Sequence, residues 1–432
     1  MMKANQTIAW AALLGFACCT VSGAEAPSLT LQEAHAEALR NHPAIRVGDL
    51  KALAARQVTR QVQAAFYPTL AANVMTAGAA DEDTRLGAVG GINSPRVLNK
   101  NAEGLVLSQL ITDFGRTANL SGSAKLQAQA AADNAQATRE QILLAVDMAY
   151  FAALQAQSVT LVAQQTVATR QLFLDQVTML ASNKIKSELD VVFARVNVDD
   201  ARLVLSKAQN DVQAEFARLA NLMGLGEPKT WHLVEEPPPP PLSTNVAELV
   251  EQGLRFRPEL LSLQYSRDAA LKFVRAEKAL SYPTVSAVGA AGFIPAGDPL
   301  LPENYAAGGV SITLPLFTGG LYAARKREAE LRAQAAEESL RDLQNNVIRD
   351  VRIAWLNAQN AFDRLRITSE LLDNARLSLD LAQSRYANLL SSIVEVNQAQ
   401  LNLLAAQITY ANTQFEYLLQ RSALSYQTGT LR

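Results

Sequence analysis

Two short stretches of the chain carry the same polar chemistry at the same spacing. Ser187-Glu188-Leu189-Asp190 and Ser392-Ile393-Val394-Glu395 each set a hydroxyl three residues before an acid. That is capping-box spacing: the Ser side chain accepts from the amide three residues on, and the acid reaches back to the Ser amide. Just before them stand Asn183 and Asn388, a residue type that tolerates the left-handed backbone ending many helices. The pattern predicts a helix–helix turn in both places, with tips near 183–187 and 388–392. Capping alone accounts for an acid at Asp190 and at Glu395. Catalytic chemistry has no comparable signal. His35, His42 and His232 show no i, i+3 or i, i+4 spacing that would set two of them on one helix face as metal ligands. No GxSxG, HExxH or phosphate-binding glycine loop occurs. Gly90-Gly91 and Gly319-Gly320 read as loop or strand-to-helix turns. No enzyme, cofactor or metal centre is expected.

The paired tips belong to a longer duplication. Leu31 to Pro43 resembles Val246 to Pro258, and Pro43 and Pro258 stand 215 residues apart, as do Tyr67-Pro68 and Tyr282-Pro283. Beyond those prolines the offset becomes 205, pairing Gly115 with Gly320, Val146 with Val351, Tyr150 with Trp355 and Gly224 with Gly429. Two Ala-rich helices could match by composition, but not at these Gly, Tyr-Pro and aromatic positions. The domain organisation expected is a first repeat over 25–224, a Pro-rich linker over 225–245 built on Pro237 to Pro241, and a second repeat over 246–432.

Within a repeat, Arg116 to Ser182 lacks proline and is rich in Ala, Gln and Leu, which favour helix. As one helix it would be roughly 100 Å long and would need support along its length. Helical hairpins are expected over 116–224 and 321–429. On the returning helix Val191, Ala194, Val198, Ala201, Leu205, Ala208, Val212, Leu219 and Leu222 step by threes and fours, broken only at Glu215, as in a coiled-coil seam. The helix from Ala44 to Phe66 could stack on its end. Strand signals flank Pro68, Pro283, Gly115, Pro315 and Gly320, at about 69–78, 104–112, 284–292 and 309–316. Over the last, Val310, Ile312, Leu314 and Leu316 share one face. Such strands suit either an outer-membrane barrel or a short periplasmic hairpin. Four strands cannot close a barrel, because the smallest need about eight.

The chain has 432 residues, 49% of them hydrophobic, and a formal net charge of −2. That balance gives no footprint for nucleic acid. Lys3, the apolar run Ile8 to Ala17 and Ser22-Gly23-Ala24 form a secretory leader, residues 1–24, with cleavage expected before Glu25. Cys18 and Cys19 raise a lipoprotein reading, which the poor lipobox Gly15-Phe16-Ala17 disfavours. No later run of about 18 uninterrupted apolar residues predicts a transmembrane helix. A soluble, elongated coiled-coil scaffold remains the alternative to a membrane duct.

In order and duplicated, these motifs resemble the TolC family of outer-membrane efflux proteins over nearly the whole mature chain. The resemblance rests on Leu29-Thr30-Leu31 with Ala34 and Leu39 before Asn41-His42-Pro43, on Tyr67-Pro68, on Asp113-Phe114-Gly115-Arg116, and on Pro315-Leu316-Phe317-Thr318-Gly319-Gly320. It implies a mainly helical fold with a small β part. In that fold a homotrimer contributes four strands per chain to one outer-membrane β-barrel in lipid, continued by a periplasmic α-helical barrel. It implies export of small molecules (drugs, toxic compounds or metals), or alternatively type I protein secretion, together with a periplasmic adaptor and an RND or ABC inner-membrane pump. By position, Tyr386 matches the family's gating tyrosine, Asp190 its hydrogen-bonding acid and Glu395 a constriction-ring acid. Ser391 replaces the lock arginine and Gln398 a second ring acid, which puts an arginine-based lock in doubt. The tips, with Asn183, Lys184, Ser187, Asn388, Leu389 and Ser392, would meet the adaptor. Lys184 and Leu389 stand where the family has a tip glycine, with the adjacent asparagines expected to turn the chain.

Overall fold

The computed structural model describes residues 27–78, 80, 100–227, 229–235, 245–296 and 303–431. The leader, Cys18, Cys19, Gly90-Gly91 and the prolines 237–241 lie outside the described residues.

In chain order the elements are β1 (Ser28–Leu29), α1 (Leu31–Asn41), α2 (Pro43–Gln63), β2 (Thr69–Ala77), β3 (Lys100–Thr112), α3 (Arg116–Ser182), α4 (Glu188–Leu222), β4 (His232–Leu233), α5 (Val246–Phe256), α6 (Pro258–Lys278), β5 (Thr284–Ala296), β6 (Asn304–Thr313), α7 (Leu321–Ala387) and α8 (Ile393–Gln427). The repeat is exact in element length where it matters most: α3 and α7 each have 67 residues, and α4 and α8 each have 35. The repeated prolines act identically. Pro43 and Pro258 open α2 and α6, and each forces the residue before it, His42 or Arg257, into extended backbone that breaks the preceding helix. Tyr67 and Tyr282 are likewise extended before Pro68 and Pro283, where a short 3₁₀ turn hands over to a strand.

β2, β3, β5 and β6 form one antiparallel sheet in the order β2-β3-β5-β6. Leu70 lies opposite Leu107, Leu105 opposite Ala291, and Ser286 opposite Ser311. This register puts Leu70, Val74, Leu105, Leu107, Val310 and Ile312 on one face, all exposed. The other face mixes Asn73, Ser108, Ser286 and Ser311 with Met75, Val106, Leu110 and Val288. There the Tyr305 ring lies across Gly292 and Gly104: a Cβ on either glycine would fall within 2.4 Å of its hydroxyl. The outer edges of β2 and β6 have no partner strand among the described residues.

Three strands differ from expectation in their limits. β3 and β5 run further from the helices, to Lys100 and Ala296. β6 starts at Asn304 and stops at Thr313 rather than continuing to Leu316, because Pro315 has no amide to give a ladder. At the corners, Gly115 and Gly320 take left-handed φ values of 92° and 84° and start the long helices. Asp113 fixes the first corner by accepting from the amides of Gly115 (3.2 Å) and Thr117 (2.7 Å).

α3 packs against α2, α4, α6 and α8, and α7 packs against α5, α6 and α8. The α4 seam runs unbroken, because Phe216 rather than Glu215 turns inward between Val212 and Leu219. One 18-residue window of α3 is apolar enough on average to cross a bilayer, although no uninterrupted apolar run of that length occurs in it. Core helices pass the same test, and α3 carries packed neighbours along its length. The largest buried cluster joins α1, α3 and α4 to the β1–β4 pair, with Tyr150, Phe151, Phe216, Leu219 and Trp231. There the buried Tyr150 hydroxyl lies 2.8 Å from the carbonyl oxygens of both Leu29 and Val234 and shares its one proton between them, tying together two segments distant in sequence. Asp147 is buried beside it and bonds His35 of α1.

Candidate functional site at the hairpin tips

Both hairpins turn through the same backbone device. After α3, the amide of Lys184 donates to Ala181 O and that of Ile185 to Leu180 O, each at 2.9 Å. After α7, Leu389 donates to Tyr386 O (3.2 Å) and Leu390 to Arg385 O (2.8 Å). This paired closure needs one left-handed residue. Expectation assigned that conformation to Asn183 and Asn388. The structure instead gives it to Lys184 (φ 59°) and Leu389 (φ 62°). The asparagines stay at φ −88° and −85° and donate side-chain amides to Met179 O (2.9 Å) and Ser384 O (2.8 Å). They satisfy the carbonyls that a helix end leaves open, while a longer side chain bears the backbone strain.

The N-terminal caps differ between the tips. Ser187 and Asp190 form the capping box, with the Asp190 amide 3.2 Å from Ser187 Oγ and the Ser187 amide 3.4 Å from Asp190 Oδ2. Ser392 makes no side-chain cap bond, so the second box is not formed. Glu395 is drawn away by Arg385, whose Nε lies 3.2 Å from its Oε1 on the exposed flank. A charge-assisted pair to guanidinium outcompetes a neutral backbone donor. Gln398, one turn on, donates to Asn402 (2.9 Å) along the same face. Glu395, Gln398, Arg385 and Ser392 line one open groove between α7 and α8. Ser391 Oγ is buried without a hydrogen-bond partner among the described residues.

Tyr386 joins the two tips. It is 4% exposed, among Phe173, Val177, Ala194, Ile393 and Val396, with the Phe173 ring 5.8 Å away. Its hydroxyl donates to Asp190 Oδ2 at 3.4 Å. Burial first, and then the Asp190 charge and hydrogen bond, push its pKa up to about 12. Lys186 comes from the first tip to the same residue: Nζ donates to the Tyr386 carbonyl (3.2 Å) and sits 3.6 Å from the ring centroid, a cation–π distance. Phenol, carboxylate and ammonium therefore cross-link the hairpins.

Of the residues singled out in the sequence, Tyr386, Asp190 and Ser187 meet. Glu395, Gln398 and Ser392 share the separate groove, and Ser391 lies between. Gly115, Gly320, Pro68, Pro283 and Pro315 stand at the sheet end, the length of a 67-residue helix away, roughly 100 Å. Lys186 and Arg385 were missed. Each differs from its repeat mate, Ser391 and Leu180 respectively, so duplication could not flag them. Their adjacency to Ser187 and Tyr386 was the available signal.

The sequence profile described as "Outer membrane efflux protein" matches residues 35–225 and 249–430. The outer membrane protein TolC of Escherichia coli K12 is 25% identical over 363 residues, covering 79% of this chain and 71% of that protein. The solvent efflux pump outer membrane protein SrpC of Pseudomonas putida is 26% identical over 399 residues, covering 88% and 81%. Among solved structures, that of CusC superposes with a TM-score of 0.80 at 21% identity, covering 92% of both chains.

Proposed function

We propose, from the premise that this chain belongs to the outer membrane efflux protein family, how it works as an outer-membrane efflux channel with a long periplasmic portion. In this reading three copies assemble side by side, so that their sheets close one twelve-stranded barrel. The observation that carries it is the sheet itself: four strands, both outer edges unpartnered among the described residues, and one face lined by exposed Leu70, Val74, Leu105, Leu107, Val310 and Ile312. In lipid every backbone amide needs a partner, and an apolar sheet with open edges is a template for pairing with further copies. Small-molecule cargo is favoured, as the name of the P. putida relative says of that protein. The chain acts as a conduit rather than a catalyst, and a periplasmic adaptor and inner-membrane pump deliver the cargo to the hairpin tips.

In the same reading the tips are the gate. Tyr386 and Asp190 hold the hairpins together, and Lys186 supplies from the first hairpin the cation that Ser391 does not supply from the second. Glu395, screened by Arg385, is the constriction acid. The assembly test is native mass spectrometry of protein extracted from outer membranes in mild detergent. A trimer is expected, and a monomer in the soluble periplasmic fraction would sink the reading.

A further inference from the structure

Roughly 18 Å above the first tip, twelve residues back along α3, lies a small polar pocket, open on the side where Gln165 and Thr169 are exposed, that the gate does not use. Its volume is about 120 Å³, and its walls are Gln165, Thr166, Thr169 and Arg170 of α3, Leu379 of α7, and Gln400, Leu403, Leu404 and Gln407 of α8. Arg170 is 2% exposed and Gln400 is 5% exposed. One guanidinium nitrogen of Arg170, Nη1, donates to Asn197 O at 2.8 Å. Its Nε and Nη2, and both polar atoms of the Gln400 amide, have no hydrogen-bond partner among the described residues.

This is an unusual thing for a coiled-coil interior to contain. A buried guanidinium is costly unless its charge and its donors are met, and unsatisfied buried donors are rare. No acid lines the cavity. The carboxylate whose field reaches Arg170 is Asp200 of α4, and no ion pair among the described residues includes Arg170. Burial lowers the Arg170 pKa, although a guanidinium stays protonated at any physiological pH. Thr166 and Thr169 have already given their hydroxyl protons to Val162 O (2.8 Å) and Gln165 O (2.9 Å). The buried donors left without a partner are therefore Nε and Nη2 of Arg170 and the amide of Gln400, drawn from two helices, with no carboxylate in contact with the positive charge.

We propose that this cavity is a binding site for a small monovalent anion of halide size. Arg170 Nε and Nη2 and Gln400 Nε2 are its ligands, and the small pocket volume, with Leu379, Leu403 and Leu404 on its wall, favours a small ion. The bound ion bridges α3 of the first hairpin to α8 of the second, one layer above the contact between Tyr386 and Asp190. The site does not depend on the gate reading, because its ligands and its test lie outside the tips.

Bromide is the probe. Crystals of the full chain soaked in sodium bromide should show an anomalous peak within hydrogen-bond distance of Arg170 and Gln400. In solution, the detergent-extracted protein should melt several degrees higher in sodium bromide than in sodium gluconate of equal ionic strength, since gluconate is too large for the cavity. Gln400→Leu keeps the side-chain size and should abolish that difference, whereas Gln407→Leu should retain it. The proposal is overturned by water density alone at the site, by a neighbouring copy's carboxylate there, or by an equal halide effect in Gln400→Leu.

Discussion

Asp190 Oδ2 accepts two hydrogen bonds at once: the Ser187 amide of its own helix and the Tyr386 hydroxyl of the other hairpin, both at 3.4 Å. One oxygen thus caps a helix and joins two hairpins, so the structural role and the proposed gating role do not compete. Both bonds are long for their type, which marks a contact that can be released. A charge-assisted bond of this kind contributes about 1.5–3 kcal/mol at most. Three copies would act together in a symmetric assembly.

Tyr386→Phe with Asp190→Ala should therefore loosen the closed end and raise single-channel conductance in planar bilayers, while circular dichroism keeps its helical signal. An unchanged conductance in a protein that remains trimeric would reduce Asp190 to a cap. Lys186→Met removes the ammonium on Tyr386 and should push conductance the same way by a smaller amount.

The pH dependence of the same contact has a fixed sign. The Tyr386 hydroxyl has a folded pKa pushed up to about 12 from an ordinary 10.0, so burial favours the neutral phenol. Its contribution is complete below about pH 10 and is lost as pH rises through about 12. Closed-state conductance should be flat from neutrality to about pH 9 and climb beyond about pH 10. Tyr386→Phe should lack that alkaline rise. A rise of equal size in the variant would assign it to other groups.

Arg385 and Glu395 give a prediction that runs against simple charge counting. Glu395→Gln should weaken cation preference, read as the reversal potential in a salt gradient. Arg385→Gln removes the ion that screens this acid at 3.2 Å, so it should strengthen cation preference beyond the parent. Exposed pairs of this kind add little stability, and neither change should shift the melting temperature by much. Loss of cation preference in Arg385→Gln would show that Glu395 does not face the conduit.

The long helices were legible because nothing interrupts them: no proline stands between Arg116 and Ser182, and Gly115 and Gly320 start the two 67-residue helices. The hairpin turns and strand–helix corners were legible from the duplication, since paired Tyr-Pro and glycine positions impose equal geometry on both copies, whereas the fold class came from the family resemblance. What the duplication hid was asymmetry. Ser392 and Glu395 have the spacing of a capping box, yet Arg385 takes the acid. Leu389 bears a left-handed backbone that its type disfavours, because the turn hydrogen bonds on either side hold it there. The Val310 to Leu316 alternation looked continuous, yet strand pairing requires an amide that Pro315 lacks. Side-chain competition and ladder chemistry are set by neighbours in space, and spacing alone does not carry them.

Gly224 and Gly429 show where the duplication is enforced most strictly, and they give the sharpest stability prediction. They follow α4 and α8 at φ 72° and 69°, a region costing other residues about 1–2 kcal/mol. Space is equally restrictive. A Cβ on Gly224 would stand 2.8 Å from the carbonyl carbon and oxygen of Asn41, and one on Gly429 would stand 2.8 Å from the carbonyl carbon of Phe256. These contacts are backbone atoms at the ends of α1 and α5, which cannot swing aside as a side chain would. Each glycine thus lets the returning helix of a hairpin dock on the short helix that opens its own repeat. Gly224→Ala and Gly429→Ala should each lower stability by more than the φ cost alone, on the order of 2–4 kcal/mol, measured as a fall in melting temperature of the extracted protein. Gly226→Ala, where a Cβ meets nothing within 4 Å, is the control and should be nearly neutral. The two sites share no partners, so the double variant should lose the sum of the single losses. If either alanine variant melts with Gly226→Ala, the close approach of the helix ends is not what fixes that glycine.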